Sequence, residues 1–384
     1  MPNLPENAAI RDFGALQAKD GQEEHPRRTP RVMIDALSSV RRPGDPFVDV
    51  FCAGEVFFDL VFTGLDEMPP PGTEGWAPGM GSSPGGLANM AVAMRRLGLR
   101  TWLAAAFGDD LYGDYCWDTL AAQEDIDLSA SRRFDGWHSP VTVSLAVGRD
   151  RAMVTHGHPS PQTLDQIIGS PPQARACFAG LTLNEQKWVT HARDSGAMVF
   201  ADLGWDLSQQ WSAQMVERLS ACDAFLPNAD EAMALSRTDD PVTAAGRLAE
   251  HVPVVVVTRG QNGAYAIDQR TGESADVPGL KVDAIDPTGA GDVFGAAFVV
   301  GTLADWALQD RLRFANLCAA LSVQHFGGSL AAPGWGEITA WVHENLDRND
   351  SGDLAGYRFL ADLVPDVALT PVRRAGATLG LRHR

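Results

Sequence analysis

Short apolar runs alternate along the chain with longer segments whose apolar residues recur at helical spacing. The runs predict strands within VDVFCAG, RTWLAAAFG, RACFAGL, AMVFADLG, AFLPN, VPVVVVTRG and GAYAID. Predicted helices begin near Gly86, Leu111, Asn184, Ser208, Ala229, Pro241, Asp292, Leu308 and Gly336. Strands that alternate with helices indicate a parallel sheet covered on both faces, and near-continuous apolar runs fit burial on both sides. The pattern therefore predicts an α/β fold with a doubly wound, mostly parallel central sheet flanked by helices.

Two further β-rich segments break this alternation. VFFDLVFTGL (residues 56–65) and VTVSLAVGRDRAMVTHG (residues 141–157) have strand-like composition and no crossover helix of their own. They predict either a small β-sheet lid, with segments near 56–80 and 138–157, or two extra edge strands. The pattern alone leaves both open.

Neither end of the chain shows a strong periodic pattern of apolar residues. Residues 1–45 are rich in Pro, Arg, Glu and Asp, which indicates a mobile or loosely attached extension. Residues 46–346 contain the predicted domain. Residues 347–384 form a C-terminal extension, and we expect its basic end, VRRAGATLGLRHR, to be peripheral.

The formal charge of −18 limits the expected partners. Nucleic acids and anionic membranes attract concentrated Lys and Arg, so neither is an expected partner. Five scattered cysteines show no paired metal-type spacing, which favours a reducing compartment and packing roles. The N-terminus lacks a signal-peptide pattern and the apolar runs are too short to span a bilayer, so we expect a cytoplasmic protein.

The stretch DPTGAGDVFG, from Asp286 to Gly295, raises the question of a phosphate site. A Walker-type loop needs a lysine after its glycines, and none of the three lysines follows such a turn. A dinucleotide fingerprint needs a buried strand and a third glycine one position before Gly295. Two interpretations remain. One is a glycine turn with Asp292 as helix N-cap; the other is a cradle in which the N–H groups of Ala290, Gly291 and Asp292 converge on a phosphate.

In the cradle, Asp292 lies in the first turn of a helix and can accept a proton from a substrate hydroxyl as a general base. Phosphates would repel this carboxylate, and magnesium together with the helix dipole would offset the repulsion. Phosphoryl transfer needs mainly positioning and charge stabilisation, so the loop, a metal ion and one carboxylate suffice without lysine.

Two motifs nearer the N-terminus are candidates for substrate binding. In SSPGGLANMAVAMRRLG, Gly85 and Gly86 precede a helix that carries Asn89 in its first turn. A plain glycine turn explains the helix but not Asn89. In GEVFFD, Asp59 is either a carboxylate for two substrate hydroxyls or a solvated loop residue.

Two motifs nearer the C-terminus are equally ambiguous. Asn228 and Glu231 in LPNADEAMAL are three residues apart, so both can face a hydrated magnesium ion. The same spacing matches a capping box. VVVVTRGQNGAY ends a buried strand at Thr258 and turns through Gly260, as a nucleotide-side loop or as a hairpin.

The order of these motifs is more specific than any one of them. GEVFFD, PGGLAN with RLG, FGDDLYG, PNADE, TRGQNG and DPTGAGDVFGAAF follow one another as in the ribokinase-like (PfkB) carbohydrate kinases. The chain resembles this family over roughly residues 48–345. The resemblance implies an ATP- and Mg²⁺-dependent kinase that phosphorylates a hydroxymethyl group of a sugar or nucleoside beneath a β-sheet lid. An exposed lid edge invites pairing, so we also expect a homodimer through the lid.

The resemblance assigns a role to each candidate residue. The implied catalytic base is Asp292, with an anion hole at Gly289, Ala290 and Gly291. The residues implied to organise magnesium and phosphate are Asn228 and Glu231. The implied substrate side comprises Asp59, Gly85, Gly86 and Asn89. The implied ATP side comprises Thr258, Gly260 and Asn316. Asp286 matches a position used in some members for a monovalent cation such as K⁺.

Departures from the family pattern bear on the substrate. Pro84 replaces the first glycine, Gly86 stands where ribose-specific members carry lysine, and Phe57 stands where they carry a polar residue. These departures argue against ribose and against phosphosugars that need a nearby cation, unless the lid region supplies one from Arg132, Arg133 or Arg149. Phe57 and Phe58 beside Asp59 would suit a deoxy sugar or a nucleoside base. We expect a neutral sugar first, a nucleoside second, and a non-catalytic sugar or nucleotide sensor as the rival from another class.

Overall fold

The computed structural model describes residues 35, 37–147, 150–203, 213–346, 352–364 and 371–375. The strands of these residues are β1 (Val48–Ala53), β2 (Val56–Leu65), β3 (Gly79–Gly86), β4 (Thr101–Ala104), β5 (Ala106–Gly108), β6 (Arg132–Phe134), β7 (Val141–Val147), β8 (Asp150–His156), β9 (Ala174–Leu181), β10 (Met198–Leu203), β11 (Ala224–Phe225), β12 (Val254–Thr258), β13 (Ala264–Asp268) and β14 (Glu273–Val277). The helices are α1 (Leu87–Arg96), α2 (Leu111–Trp117), α3 (Leu164–Ile168), α4 (Lys187–Asp194), α5 (Ala213–Arg218), α6 (Ala229–Ser236), α7 (Pro241–Leu248), α8 (Ala290–Leu303), α9 (Leu308–Ser322) and α10 (Trp335–Asn345).

The central sheet has eight strands in the order β14-β13-β12-β11-β10-β9-β1-β4. Strands β4 to β12 within this order pair in parallel, and β13 and β14 add an antiparallel edge. Buried side chains form one cluster on each face of the sheet, and α8 contributes almost entirely apolar side chains to one of them. This arrangement confirms the predicted α/β class and explains why runs such as VVVV are apolar at every position.

A second sheet has the order β3-β2-β7-β8, so the two β-rich segments form a separate small sheet and are not edge strands of the central one. Strand β2 pairs in parallel with β7 and antiparallel with β3. Strand β8 is an outer edge and exposes Met153 and Val154. Strand β3 ends at Gly86 and α1 begins at Leu87, so the small sheet continues directly into a helix of the main body.

Several sequence expectations need correction. RTWLAAAFG divides into β4 and β5, and β5 pairs with β6 in a two-stranded sheet. The glycine turn expected before α1 is strand β3, whose backbone pairs with β2 along its whole length. The helix predicted near Asn184 begins at Lys187, and β14 and α3 were not predicted. The helix start near Ser208 lies outside the described residues.

The cysteines and the helices bear on two further features of the sequence. All five cysteines are buried and unpaired, and burial raises the pKa of Cys52 to about 12. Within the described part of the chain, every helix falls short of the length and apolar character that a membrane crossing requires.

Candidate active site

The residues predicted to bind the acceptor lie where β2 pairs with β3. Asp59 stands opposite Ser83, and Phe57 stands opposite Gly85, so these four residues share one face of the small sheet. Asp59 is buried, with 7% of its surface exposed. A Cβ atom at Gly85 would lie 1.8 Å from Oδ2 of Asp59. The glycine therefore makes room for the carboxylate that sequence reasoning assigned to substrate binding.

Phe58 does not join this face, which corrects the expected pairing of Phe57 and Phe58 beside Asp59. Alternation along β2 turns Phe58 to the opposite face, where its ring packs 5.1 Å from Tyr112 and 5.2 Å from Tyr115. Only 3% of Phe58 is exposed. Phe57 remains on the face that carries Asp59, beside Gly86.

The glycine-rich stretch forms the start of α8. Gly289 is the N-cap, with a left-handed φ of 75°, and Asp292 is the third helical residue. The interpretation of Asp292 as N-cap is therefore wrong. A side chain at Gly289 would be strained by this φ and would press on the Asn89 amide, 3.2 Å from the added Cβ. The N–H of Ala290 donates to the carbonyl of Pro287 (3.2 Å), so this amide already closes a turn.

A hydrogen bond joins the two halves of the site. Nδ2 of Asn89, in the first turn of α1, donates to Oδ2 of Asp292 over 3.0 Å. The two residues are 203 positions apart in the chain. The bond links Asp292, in the first turn of α8, to the helix that directly follows β3, and the dipole of α8 favours negative charge at this end.

Asp286 is buried behind this helix start. Its Oδ1 accepts the N–H of Thr288 (2.9 Å), and its Oδ2 accepts the N–H of Gly327 (3.2 Å). The carboxylate thus ties the loop before Gly289 to the chain after α9. Its assignment to a monovalent cation stays a prediction.

Asn228 and Glu231 form the capping box that the sequence allowed. Oδ1 of Asn228 accepts the N–H of Glu231 (3.0 Å), and Oε2 of Glu231 accepts the N–H of Asn228 (2.9 Å). A parallel bridge pairs Asn228 with Thr258, and the N–H of Thr258 donates to the carbonyl of Pro227 (3.1 Å). The ends of β11 and β12 therefore bring the expected magnesium and ATP residues together.

The other two ATP-side candidates have structural partners. Gly260 lies in the hairpin between β12 and β13, closed by the N–H of Arg259 and the carbonyl of Gly263 (2.7 Å). The amide of Asn316 donates to the carbonyls of Val277 and Pro278, both at 3.2 Å. Asn316 thereby holds the end of β14 against α9.

Asp202, near the end of β10, is a candidate site residue that sequence reasoning missed. Burial raises its pKa well above the ordinary range, and the carboxylates of Glu231 and Asp292 raise it further. Burial also raises the pKa of Glu231. The sequence does contain a sign of this residue, since the carboxylate of Asp202 comes directly after the apolar run MVFA. Polar groups at the carboxyl ends of parallel strands often line a site.

The pfkB family carbohydrate kinase model matches residues 49–334. The chain belongs to this family. It is 31% identical over 282 residues to a fructokinase from Klebsiella pneumoniae, covering 68% of this chain and 90% of the relative. It is 27% identical over 298 residues to a nucleoside kinase from Methanothermobacter thermautotrophicus, covering 75% and 94%. An E. coli protein described as a ribokinase II, solved with ATP and Mg²⁺, shares the fold with a TM-score of 0.65 at 23% identity, covering 78% of this chain and 100% of that one.

Membership in the family confirms the resemblance, the ribokinase-like fold and the enzyme class. The carbohydrate kinase is a phosphotransferase with an alcohol group as acceptor. The three arginines that were expected to supply a cation from the lid region have different surroundings. Arg133 pairs with Asp114 and lies over the ring of Trp117, while Arg132 is exposed on β6 and Arg149 lies outside the described residues.

Proposed function

We propose that this carbohydrate kinase transfers the γ-phosphate of ATP to a hydroxymethyl group of a neutral sugar. The observation that carries the proposal is the bond between Asn89 and Asp292, because it joins a carboxylate at the N-terminal end of α8 to the helix that follows the strand pair bearing Asp59. Gly86 replaces the lysine of ribose-specific members, and Arg133 is occupied by Asp114, which supports an uncharged acceptor.

In the proposed reaction Asp59 accepts hydrogen bonds from sugar hydroxyls and fixes the orientation of the ring. Phe57 offers an apolar wall on the same face. The primary hydroxyl then faces Asp292, which accepts its proton as the oxygen attacks the γ-phosphorus. A new O–P bond forms, the bond from the γ-phosphorus to the β,γ-bridging oxygen breaks, and ADP departs. The N–H groups of Gly291 and Asp292 stabilise charge on the transferring phosphoryl group.

The carboxylates of Asp202 and Glu231 fit the hard oxygen donors that Mg²⁺ requires, with Asn228 positioning Glu231 through the capping box. Magnesium would neutralise phosphate charge and offset the repulsion between ATP and Asp292. Burial raises the pKa of Asp202, and repulsion by Glu231 and Asp292 raises it further; a bound cation would relieve this repulsion.

Replacing Asp202 by Asn tests this assignment. We expect the Mg²⁺ concentration for half-maximal activity to rise by about 10- to 100-fold, since a positioning ligand is lost. In metal-free protein the variant should melt at a higher temperature at neutral pH. The pKa of Asp202 is raised in the folded protein, so this carboxyl costs folding free energy as the pH rises above its ordinary pKa of 3.8, and the difference between the two proteins should disappear below that pH. Unchanged Mg²⁺ dependence would contradict the assignment.

ADP release measured across pentoses, hexoses, deoxy sugars and nucleosides tests the proposed function. We expect a neutral sugar with a free hydroxymethyl group to give the highest kcat/KM. A nucleoside as the best acceptor would select the second interpretation, in which Phe57 stacks on the base. Sugar binding without ATP consumption for any acceptor would indicate a sensor.

A further inference from the structure

Five residues of the C-terminal extension, 371–375, pack against the main body, which corrects the expectation of a peripheral tail. We call them the C-terminal strap. The N–H of Val372 donates to Oε1 of Glu337 (3.0 Å), and Arg374 donates to the same oxygen (3.1 Å) and to the carbonyl of Ala331 (2.7 Å). The family match ends at residue 334, so the strap lies beyond the shared domain.

A buried arginine completes the attachment. The guanidinium of Arg96, at the end of α1, pairs with Glu124, and both side chains are fully buried. The same group donates to the carbonyl of Arg373 (2.7 Å) and to the carbonyl of Ala332 (2.5 Å). Charge-assisted bonds of this kind are about twice as strong as neutral ones, so the strap is held by more than surface contact.

The far end of the strap reaches the acceptor side of the site. The methyl group of Ala375 lies against Gly327 and Gly81, where added Cβ atoms would approach it to 2.5 Å and 3.2 Å. Gly81 belongs to β3, the lid strand that carries Ser83 and Gly85. Gly327 donates its N–H to Asp286, behind the start of α8.

The turn beneath the strap touches the residues that face the acceptor. A Cβ atom at Gly328 would lie 2.9 Å from Oδ1 of Asn89 and 3.6 Å from Oγ of Ser83. Both oxygens are buried and find no hydrogen-bond partner among the described residues. Buried polar atoms without a partner are costly, and a bound hydroxyl compound can satisfy them.

We propose that the C-terminal strap is a positioning segment of this kinase. By filling the space between β3 and the turn at Gly327 and Gly328, it holds Ser83 and Asn89 in place for the acceptor sugar. Arg374 and Ala375 carry this role through packing and hydrogen bonds and do not touch the substrate. The kinetic consequence rests on the proposed sugar kinase activity, whereas the effect on β3 does not.

Truncation tests the proposal. A chain ending at Thr370 lacks the strap, and a chain ending at Thr378 keeps it and is the matched control. We expect the first to show faster amide hydrogen exchange in residues 79–86 and 323–331, and a KM for the sugar raised about tenfold or more, since small displacements of positioning groups are costly. The KM for ATP should stay near that of the full chain.

Two point variants distinguish the effect of the strap's hydrogen bonds from the effect of its positive charge. Arg374→Gln removes the bonds to Glu337 and Ala331 and should reproduce the truncation in part, which serves as the test if the shorter chain does not fold. Arg373→Gln removes an exposed charge and should behave as the full chain.

Unchanged exchange in 79–86 and 323–331 would overturn the proposal, and so would an Arg373→Gln variant that reproduces the truncation. If no sugar is phosphorylated by the full chain, the proposed function fails and the exchange comparison still decides the role of the strap.

Discussion

Replacing Asp292 by Asn is expected to lower kcat by about 100- to 10,000-fold, the range in which a general base contributes. Asn cannot take the proton of the attacking hydroxyl. It keeps the size of the side chain and an oxygen that can still accept the bond from Nδ2 of Asn89. ATP affinity and thermal stability should therefore change little. Steady-state kinetics, calorimetric titration with ATP and a melting curve measure the three quantities.

Asp283→Asn is the matched control for this variant. Asp283 is exposed and lies in the loop that leads to α8. Its replacement by Asn therefore controls for the loss of one negative charge near the site. The control should retain the kcat of the unaltered protein. An Asp292→Asn enzyme within about threefold of the unaltered rate would remove Asp292 from the role of base.

Gly85→Ala is expected to abolish productive binding of the acceptor while the protein still folds. The added methyl group would lie 1.8 Å from Oδ2 and 2.5 Å from Oδ1 of Asp59, so the carboxylate must turn away. A short side chain can move in this way without shifting the backbone of β2. We expect kcat/KM for the sugar to fall by about 100-fold or more, because the orienting group leaves its position.

The control for Gly85→Ala is Gly246→Ala in α7. A Cβ atom there meets nothing within 4 Å, and alanine in place of a helical glycine stabilises by about 0.5–1 kcal/mol. Its kinetics should match the unaltered enzyme. ATP binding should be normal in both variants. If Gly85→Ala keeps its kcat/KM for the sugar, Asp59 does not bind the acceptor.

The sequence predicted the fold through its strongest periodic segments. Strands β1, β9, β10 and β12 were predicted because strands buried on both faces are mainly apolar. Strand β3 was not found, because GMGSSPGG has the composition of a turn. Its strand conformation comes from pairing with β2 and from burial, and local propensity contains neither.

The sequence predicts those parts of the candidate site that depend only on residues close together in the chain. Asn89 and Asp292 could be placed in the first turns of their helices from sequence, but the 3.0 Å bond between them depends on how α1 packs beside α8. Asp202 was missed because strand order, rather than sequence spacing, brings the end of β10 near Glu231. The strap was missed because a basic, glycine-containing tail is usually solvated, and its contacts depend on Glu337 and on the carbonyl of Ala331.

The direct junction between β3 and α1 limits how this enzyme can be recombined with its relatives. A chimera that exchanged only the small sheet would need a crossover at Gly86, and any change of strand direction there would turn the helix that begins at Leu87. Asn89 would move with it, and its bond to Asp292 would be lost. In the proposed mechanism this junction therefore couples acceptor binding to catalysis, and we expect a crossover that preserves turnover to lie beyond Arg96.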